Sequence, residues 1–226
     1  MNSESCIFLA GASRGVGREI ANCLADAQMK VRALLRSPDT RPELEAIGLE
    51  VVMGDALDAT ATERAFLDGT PPVRAAISTI GGLPKDGQRA DYLGNRNLID
   101  AAVKAKVEKF ILISSIGSGN SAIALPPQAM ETLKSVLIEK EKAEQHLLES
   151  GLTYVIIRPG GLKSEPATKN GVLTEDCRVA GTIHRPDVAL LACACLMSDK
   201  ADNKILSAVD RQMAYGQTDF EVLDIA

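Results

Sequence analysis

Residues 6–17 read CIFLAGASRGVG and decide the fold that the rest of the chain must follow. The first five residues are apolar without interruption, which is typical of a strand buried on both faces of a sheet. Three glycines follow, Gly11, Gly15 and Gly17, and residues 18–28 then show the apolar spacing of a helix. A strand, a glycine-rich turn and a helix N-terminus in this order predict a binding site for a dinucleotide pyrophosphate.

Each of the three glycines is required for a different steric reason in such a motif. A side chain at Gly11 would block the tight turn, one at Gly15 would keep a pyrophosphate from the backbone, and one at Gly17 would push helix and strand apart. An ordinary strand-to-helix turn is the alternative, but the surrounding strand and amphipathic helix favour dinucleotide binding. The predicted cofactor contacts of the loop are Gly11, Ser13, Arg14, Gly15, Val16 and Gly17.

The composition indicates a soluble, mildly acidic globular domain. The 226 residues are 46% hydrophobic and 24% charged, with a net charge of −5. Lys and Arg are scattered, which argues against nucleic acid as a partner, and no apolar run is long enough to span a membrane. The polar start MNSES leaves no room for a signal peptide. We therefore expect a cytoplasmic protein that acts on a small-molecule substrate, as a monomer or weak homo-oligomer.

The cysteines are odd in number and lie mostly in apolar stretches, so reduced thiols are expected and a metal site is not. They are Cys6, Cys23, Cys177, Cys193 and Cys195.

Strands and helices are predicted to alternate along the whole chain. After the first strand and helix, strands are predicted at 31–35, 49–53, 73–80, 109–114, 154–158 and 204–209. Helices are predicted at 42–47, 59–67, 91–105, 131–150 and 186–197, with a loop at 83–87 and a long polar loop at 162–181. Alternation implies an α/β fold, a doubly wound parallel sheet of about seven strands with helices on both faces. The expected order is 3-2-1-4-5-6 with a seventh strand at the edge, in one Rossmann domain over residues 1–226. Substrate-covering loops are expected at about 116–131 and 160–182.

Arg36 and Ser37 follow the second strand, where an NAD-specific site would place an acidic residue for the ribose hydroxyls. A guanidinium instead pairs well with the 2′-phosphate of NADP, and Arg14 could approach the same phosphate. The alternative for Arg36 is a solvated loop residue. Asp39 is the nearest acid, but it follows Pro38 and comes too late. The predicted cofactor is therefore NADP(H).

The ends of the other strands complete the predicted site, because the carboxyl ends of parallel strands share one edge of a sheet. Asp55 could also cap the helix that follows it, and the two roles can coexist. The remaining candidates for cofactor binding are Asp55, Ala56, Thr79, Ile80, Gly81, Pro159 and Gly160.

The loop spacing G-x-x-x-G-x-G resembles the short-chain dehydrogenase/reductase superfamily. The chain is similar to its atypical branch of NAD(P)-binding, NmrA-like proteins, and most similar to the flavin reductase/biliverdin-IXβ reductase (biliverdin reductase B) group over about residues 5–210. The shared segments are Gly-Ala-Ser at the loop, Leu-Leu-Arg-Ser after strand two, Gly-Asp-Ala-Leu after strand three, Glu-Ser-Gly-Leu-Thr-Tyr before strand six and Arg-Pro-Gly-Gly after it.

The resemblance implies roles for several strand-end residues. Asp55 would face the adenine amino group, and residues 79–81 would border the adenosine and ribose. Ser115, with Ser114 as its neighbour, would lie beside the nicotinamide, so these two are the catalytic candidates. The group has a His in the loop after strand six, but this chain has Gly160-Gly161 at that turn. If that His serves the substrate in the group, this protein is expected to differ in substrate or rate.

One departure from the superfamily bears on the reaction. Well-known members use Tyr-x-x-x-Lys, in which the Lys lowers the Tyr pKa so that the phenol can transfer a proton. Residues 126–150 contain no Tyr; Lys140, in the pattern K-x-x-A-E, resembles the retained Lys, and Val136 stands where the Tyr would be. Without the Tyr, Lys140 is expected to bind the cofactor at the nicotinamide ribose, or else to lie on the surface. Met130 with Lys134 is the other register, also without a phenol. The pattern argues against Tyr-dependent alcohol oxidation and leaves hydride transfer that needs no phenol.

The resulting prediction is an NADPH-dependent reductase of a flavin (FMN, FAD or riboflavin) or a related conjugated acceptor such as a linear tetrapyrrole. An aromatic content of 3% without Trp favours a flavin as substrate over a tightly bound prosthetic flavin. The alternatives are an NmrA-like NADP(H)-binding redox sensor or assembly factor without turnover, and a reductase of another small metabolite. The missing Tyr favours the sensor, and Ser114-Ser115 favours the enzyme.

Overall fold

The computed structural model describes residues 5–82 and 89–225, so the loop predicted at 83–87 lies outside the described residues. Its strands are β1 Cys6–Ala10, β2 Lys30–Leu35, β3 Glu50–Met53, β4 Val73–Ser78, β5 Lys109–Ile113, β6 Thr153–Pro159, β7 Gly161–Lys163, β8 Gly171–Thr174, β9 Val179–His184, β10 Lys204–Asp210 and β11 Ala214–Gly216. Its α-helices are α1 Gly15–Asp26, α2 Arg41–Ala46, α3 Ala59–Leu67, α4 Leu93–Lys104, α5 Pro127–Glu149 and α6 Arg185–Met197. Short 3-10 helices occupy Pro38–Thr40 and Gly119–Ala124.

The main sheet confirms the predicted fold class and the order 3-2-1-4-5-6. Within the described residues it has eight strands in the order β3-β2-β1-β4-β5-β6-β10-β8. The predicted seventh strand follows as β10, but it is not at the edge, because β8 pairs beyond it. The seven strands of this sheet other than β8 pair in parallel, and β8 adds an antiparallel edge beside β10. The chain therefore reverses its winding between β1 and β4, and in such sheets ligands bind at that switch, outside the carboxyl ends of the strands.

The central strand β1 is buried along its whole length, as its continuous apolar sequence predicts. Successive side chains of a strand point to opposite faces of the sheet. Ile7 and Leu9 accordingly pack in one core cluster, and Phe8 and Ala10 pack in the other. Phe8 stacks on Phe66 of α3 with ring centroids 3.9 Å apart.

Helices cover both faces of the sheet. Helices α1 and α6 supply Ile20, Leu24, Val188 and Ala192 to the first cluster. Helices α3, α4 and α5 supply the second cluster on the opposite face with Phe66, Leu98, Ile99 and Leu147. None of the helices among the described residues is sufficiently long and apolar to cross a membrane.

The prediction of a long polar loop at 162–181 was wrong in part, because the segment contains all of β8 and parts of β7 and β9. In the described part of the chain, β11, β9 and β7 form a second sheet of three strands, and β8 pairs with β10 of the main sheet. Strands β7, β8 and β11 have three or four residues each, which is too few to show a periodic pattern. A small cluster of Ile116, Val179, Val209 and Phe220 joins this region to the residues after β5.

Helix α5 begins earlier than the predicted residue 131. It starts at Pro127, with Pro126 as N-cap residue. Proline suits the first helical position because its missing N–H has no helical acceptor there. The expected substrate-covering loop at 116–131 therefore contains a 3-10 helix, Gly119–Ala124, and the first turn of α5.

Candidate cofactor and acceptor site

The ends of β1 and β4 meet at the switch point of the sheet. The Thr79 N–H donates to the Ala10 carbonyl over 3.0 Å, and its hydroxyl donates to the same oxygen over 3.2 Å. Gly11 has a φ of 97°, and a Cβ there would overlap the Thr79 hydroxyl. A Cβ at Gly17 would overlap the Gly11 carbonyl. Both positions therefore require glycine for the close packing of loop, helix and β4.

Helix α1 presents its N-terminus at this loop. Arg14 is the N-cap residue, and its guanidinium, which has donors only, does not cap the helix. Ser13 and Arg14 are exposed, whereas Val16 is buried beneath the first turn. Residues 15–18 include no acid, so the first N–H groups face no competing carboxylate of their own turn. Such a terminus favours an anion through its free N–H groups and its dipole.

Arg36 and Ser37 lie exposed at the end of β2. The Ser37 hydroxyl donates to Oδ2 of Asp39 over 2.7 Å and also accepts from the Asp39 N–H, which caps the short 3-10 helix. The serine is thus engaged within its own turn, and Asp39 is held there with it. The Arg36 guanidinium is the group at this strand end that could pair with a 2′-phosphate.

The end of β3 is held by a turn and by α4. Asp55 accepts from the Leu57 N–H over 2.9 Å. The interpretation of Asp55 as a helix cap was wrong, because Asp58 caps α3 by accepting from the N–H groups two and three residues ahead. The Asn97 amide of α4 donates to the Ala56 carbonyl over 2.9 Å, which fixes the backbone of this strand end.

Asn95 of α4 fixes the end of β4 in the same way. Its side chain is buried, accepts from the Ser78 hydroxyl over 2.6 Å and donates to the Asp91 carbonyl over 2.7 Å. A further, longer bond of 3.4 Å reaches the Ile80 carbonyl. The predicted cofactor residues at positions 79–81 are therefore positioned by a helix rather than left as a free loop.

Lys140 of α5 reaches this strand end as well. Its Nζ lies 3.6 Å from Oδ1 of Asp91, and a Cβ placed on Gly81 would lie 3.3 Å from that Nζ. Burial lowers the pKa of Lys140, and the Asp91 carboxylate opposes that shift. Val136, one turn earlier on α5, is half-buried. The helix thus brings Lys140 to the predicted ribose side of the site, with no phenol beside it at position 136.

The two serines after β5 differ in surroundings. Ser114 is buried, and its hydroxyl donates to Oε1 of Glu144 on α5. Ser115 is half-buried, and its hydroxyl donates to the Ile116 carbonyl over 3.0 Å. Both hydroxyls donate their hydrogen and keep their lone pairs, but Ser115 is partly exposed and can turn to a ligand, whereas Ser114 is buried against a carboxylate. Ser115 is the better placed of the two for contact with a substrate.

A buried ion pair, which the sequence analysis missed, lies behind these serines. The Arg158 guanidinium donates to both oxygens of Glu144, over 3.1 and 2.6 Å, and each side chain is 4% exposed. Its remaining arm donates to Oδ1 of Asn120 over 2.5 Å. Buried charges persist in proteins when they are paired and hydrogen-bonded. The signal in the sequence was a charged residue inside the apolar strand TYVIIRP.

At the end of β6, Pro159 is buried and Gly160 packs against the second sheet. A Cβ at Gly160 would overlap the Gly181 carbonyl of β9, and the Gly160 N–H donates to Ala208 of β10 over 2.9 Å. Glycine is therefore required at this position by packing, and the two residues border the site from the side opposite to β2.

The five cysteines all lie within the described ranges and are free thiols. The Cys193 thiol of α6 forms a hydrogen bond with the Cys23 sulfur of α1, which lowers the pKa of Cys23 to about 7 and raises that of Cys193. Burial raises the pKa of Cys195 to about 12. Among the residues that the structure describes, no group of three or more His, Cys, Asp or Glu could hold a metal ion.

Comparison with known proteins assigns the cofactor class. A family model described as NAD(P)H-binding matches residues 11–199, which spans the chain from the glycine loop to the end of α6.

The solved structures include an anaerobilin reductase, ChuY, from Escherichia coli O157:H7, with a TM-score of 0.83. It is 31% identical to this chain and covers 94% of it and 100% of its own length. A curated relative from Bacillus subtilis, described as an uncharacterized sugar epimerase, is 30% identical over 88% of this chain and 91% of its own. Sanguinarine reductase from Eschscholzia californica is 28% identical over 96% of this chain and 94% of its own.

Proposed function

The chain belongs to the NAD(P)H-binding family, and from that membership we propose that it is an NADPH-dependent reductase. Its acceptor would be a flavin or a related conjugated molecule such as a linear tetrapyrrole. The reductase names of two relatives, one of them an anaerobilin reductase, support this reaction class and the tetrapyrrole arm of the proposal. The protein would act on a freely exchanging small molecule in the cytoplasm, as a monomer or weak homo-oligomer.

The residues of the site fit such a cofactor. The positive φ of Gly15, the exposed Arg36 and the α1 N-terminus together offer a backbone surface and a cation to a dinucleotide with a 2′-phosphate. When bound, NADPH supplies a hydride from its nicotinamide ring. Asp55 would contact the adenine, residues 79–81 the adenosine and its ribose, and Lys140 the nicotinamide ribose.

The observation that carries the proposal is the combination of Val136 and Lys140 on α5. A phenol at position 136 would be needed to exchange a proton with an alcohol or ketone oxygen, and valine has no proton to exchange. The name of the Bacillus relative suggests an epimerase as another activity for this chain. An epimerase that works through a carbonyl intermediate would need the same phenol, so this activity is disfavoured. A conjugated acceptor takes hydride at an electron-poor atom and can receive its proton from water.

In this proposal Ser115 orients the acceptor or the nicotinamide carboxamide by a hydrogen bond. Its hydroxyl is half-buried and bonded to the adjacent carbonyl of Ile116 over 3.0 Å, so it can present an acceptor lone pair to a ligand. Ser114 supports the strand end through Glu144 instead of meeting the substrate. A serine hydroxyl is a poor acid near neutral pH, so its contribution would be positional.

The test is a panel of acceptors with NADPH, followed at the nicotinamide absorbance band. FMN, FAD, riboflavin and biliverdin form the conjugated arm, and simple aldehydes and ketones form the control arm. Catalytic loss of NADPH with the conjugated arm alone supports the proposal. Turnover of the control arm alone would overturn it, and tight NADPH binding without turnover in either arm would favour the redox sensor or assembly factor.

A further inference from the structure

Arg185, the first residue of α6, lies against the glycine loop of α1. A Cβ placed on Gly15 would lie 3.6 Å from the Arg185 Nε and 3.9 Å from its Cδ. The Arg185 side chain therefore stands on the side of Gly15 where a side chain would project. Helices α1 and α6 pack on the same face of the sheet. Gly15 and Arg185 are their first residues, so the two N-termini lie together. Arg185 is half-buried, so its guanidinium is held in place and is still partly open to solvent.

The segment after β7 is fastened to the same helix end. The Arg185 guanidinium donates to the Ser164 hydroxyl over 2.7 Å. The Asp187 carboxylate accepts from the N–H groups of Thr168 and Lys169 over 2.9 and 2.8 Å. The His184 Nδ1 lies 2.6 Å from the Pro166 carbonyl. Residues 164–169 therefore stand beside the glycine loop, with Arg185 between the two.

We infer that Arg185 binds the pyrophosphate of the dinucleotide from the side opposite to the backbone N–H groups of the glycine loop, and so joins residues 164–169 to the bound cofactor. A pyrophosphate over the α1 N-terminus would lie at Gly15, on whose open side the Arg185 side chain stands. A guanidinium offers several donors in a planar fork, so it can hold a phosphate oxygen while keeping its bond to Ser164.

This inference deepens the proposed function and rests on its cofactor, but its test needs no acceptor. The probe is ADP-ribose, which carries the pyrophosphate without the nicotinamide or the 2′-phosphate, and its affinity is measured by titration calorimetry. NADPH and NADH are titrated in parallel. Adenosine 2′-monophosphate, which has no pyrophosphate, serves as the control ligand. Lack of reductase turnover would overturn the proposed function and leave this binding test intact.

Two variants separate a phosphate ligand from a structural tether. Arg185→Gln removes the charge and keeps a donor for Ser164, whereas Ser164→Ala removes the tether and keeps the charge. We expect Arg185→Gln to weaken ADP-ribose, NADPH and NADH alike by about tenfold to one-hundredfold, the range of a lost charge-assisted hydrogen bond. We expect Ser164→Ala to retain these affinities within about threefold, and adenosine 2′-monophosphate to bind both variants as it binds the wild type.

Equal losses in the two variants would assign Arg185 a tethering role and overturn the inference, as would unchanged affinity in Arg185→Gln. A loss confined to NADPH would also overturn it, because it would place the guanidinium at the 2′-phosphate. If Arg185→Gln fails to fold, Arg185→Lys keeps the charge and loses the planar fork. That variant should bind ADP-ribose about three- to tenfold more weakly, and wild-type affinity would count against the inference.

Discussion

Lys140 Nζ lies 3.6 Å from Oδ1 of Asp91, a carboxylate that is completely buried beside the end of β4. The second oxygen of Asp91 accepts from the Gly82 N–H over 2.9 Å and lies 3.3 Å from the Arg89 Nε. Lys140 was predicted as a ribose contact or as a surface residue. Its ion pair gives it a structural task in addition, because it neutralises a charge that water cannot reach.

We expect Lys140→Met to lower the free energy of unfolding by about 2–4 kcal/mol, because Asp91 then keeps a buried charge with Arg89 as its remaining cationic partner. Urea denaturation measures the loss. The double variant Lys140→Met with Asp91→Asn is the control, since it removes both charges and should recover part of the stability. Losses that simply add would show that the two residues do not interact.

Cofactor preference is tested at Arg36. Arg36→Ala should weaken NADPH binding by about 1–3 kcal/mol and leave NADH nearly unchanged, because the guanidinium pairs with the 2′-phosphate alone. Fluorescence titration with both cofactors measures this. Arg41→Ala is a matched control, since Arg41 is an exposed arginine that pairs with Glu45 on α2. A similar loss for NADPH and NADH in Arg36→Ala would remove the basis for NADP specificity.

Ser115→Ala should reduce kcat for the acceptor by about tenfold, which corresponds to one orienting hydrogen bond of ~1.4 kcal/mol. The pH profile of kcat should keep its shape, because the serine only positions its partner. Ser114→Ala provides the comparison, because it takes a donor from the buried Glu144. This variant should lower the melting temperature and leave kcat nearly unchanged. Disappearance of an ionisation from the Ser115→Ala profile would reveal a proton relay.

Thiol reactivity should depend on pH most sharply at Cys23. Hydrogen bonding from Cys193 lowers the pKa of Cys23 to about 7, so its thiolate fraction and its alkylation rate rise as the pH passes through that value. Cys193→Ala removes the donor and should move the midpoint of alkylation up, toward the ordinary thiol pKa of about 8.5. Mass spectrometry of iodoacetamide-labelled peptides follows both proteins. An identical midpoint in the two would exclude this hydrogen bond as the cause.

Local sequence patterns were sufficient for the seven parallel strands of the main sheet and for the placement of their ends. The apolar run of β1 and the alternation of strands with helices follow from burial on both faces, which each segment records by itself. Glycines at positions 11 and 17 were predicted for the reasons that the packing shows. The order of the strands follows from the handedness of their connections, which leaves few topologies open.

The missed features depend on partners that are distant along the chain. Arg158 meets Glu144 of another element, and Lys140 meets an aspartate that precedes α4, so neither pair shows a local pattern. Arg185 reaches Gly15 from nearly the other end of the chain. Strand β7 has three residues, and it pairs with β9 across a connecting segment that contains β8. Such contacts arise only after the sheet has brought their elements together.

The small cluster of Ile116, Val179, Val209 and Phe220 has a consequence for the order in which the molecule opens. Its members come from segments far apart in sequence, and the Leu223 N–H adds a bond to the Leu173 carbonyl over 2.8 Å. Few apolar side chains hold this region compared with the two large clusters, so its local unfolding costs less free energy than global unfolding. Amide hydrogens of β8 and β11 should therefore exchange with solvent before those of β1 and β4. The second sheet can thus open locally while the switch point between β1 and β4 keeps its structure.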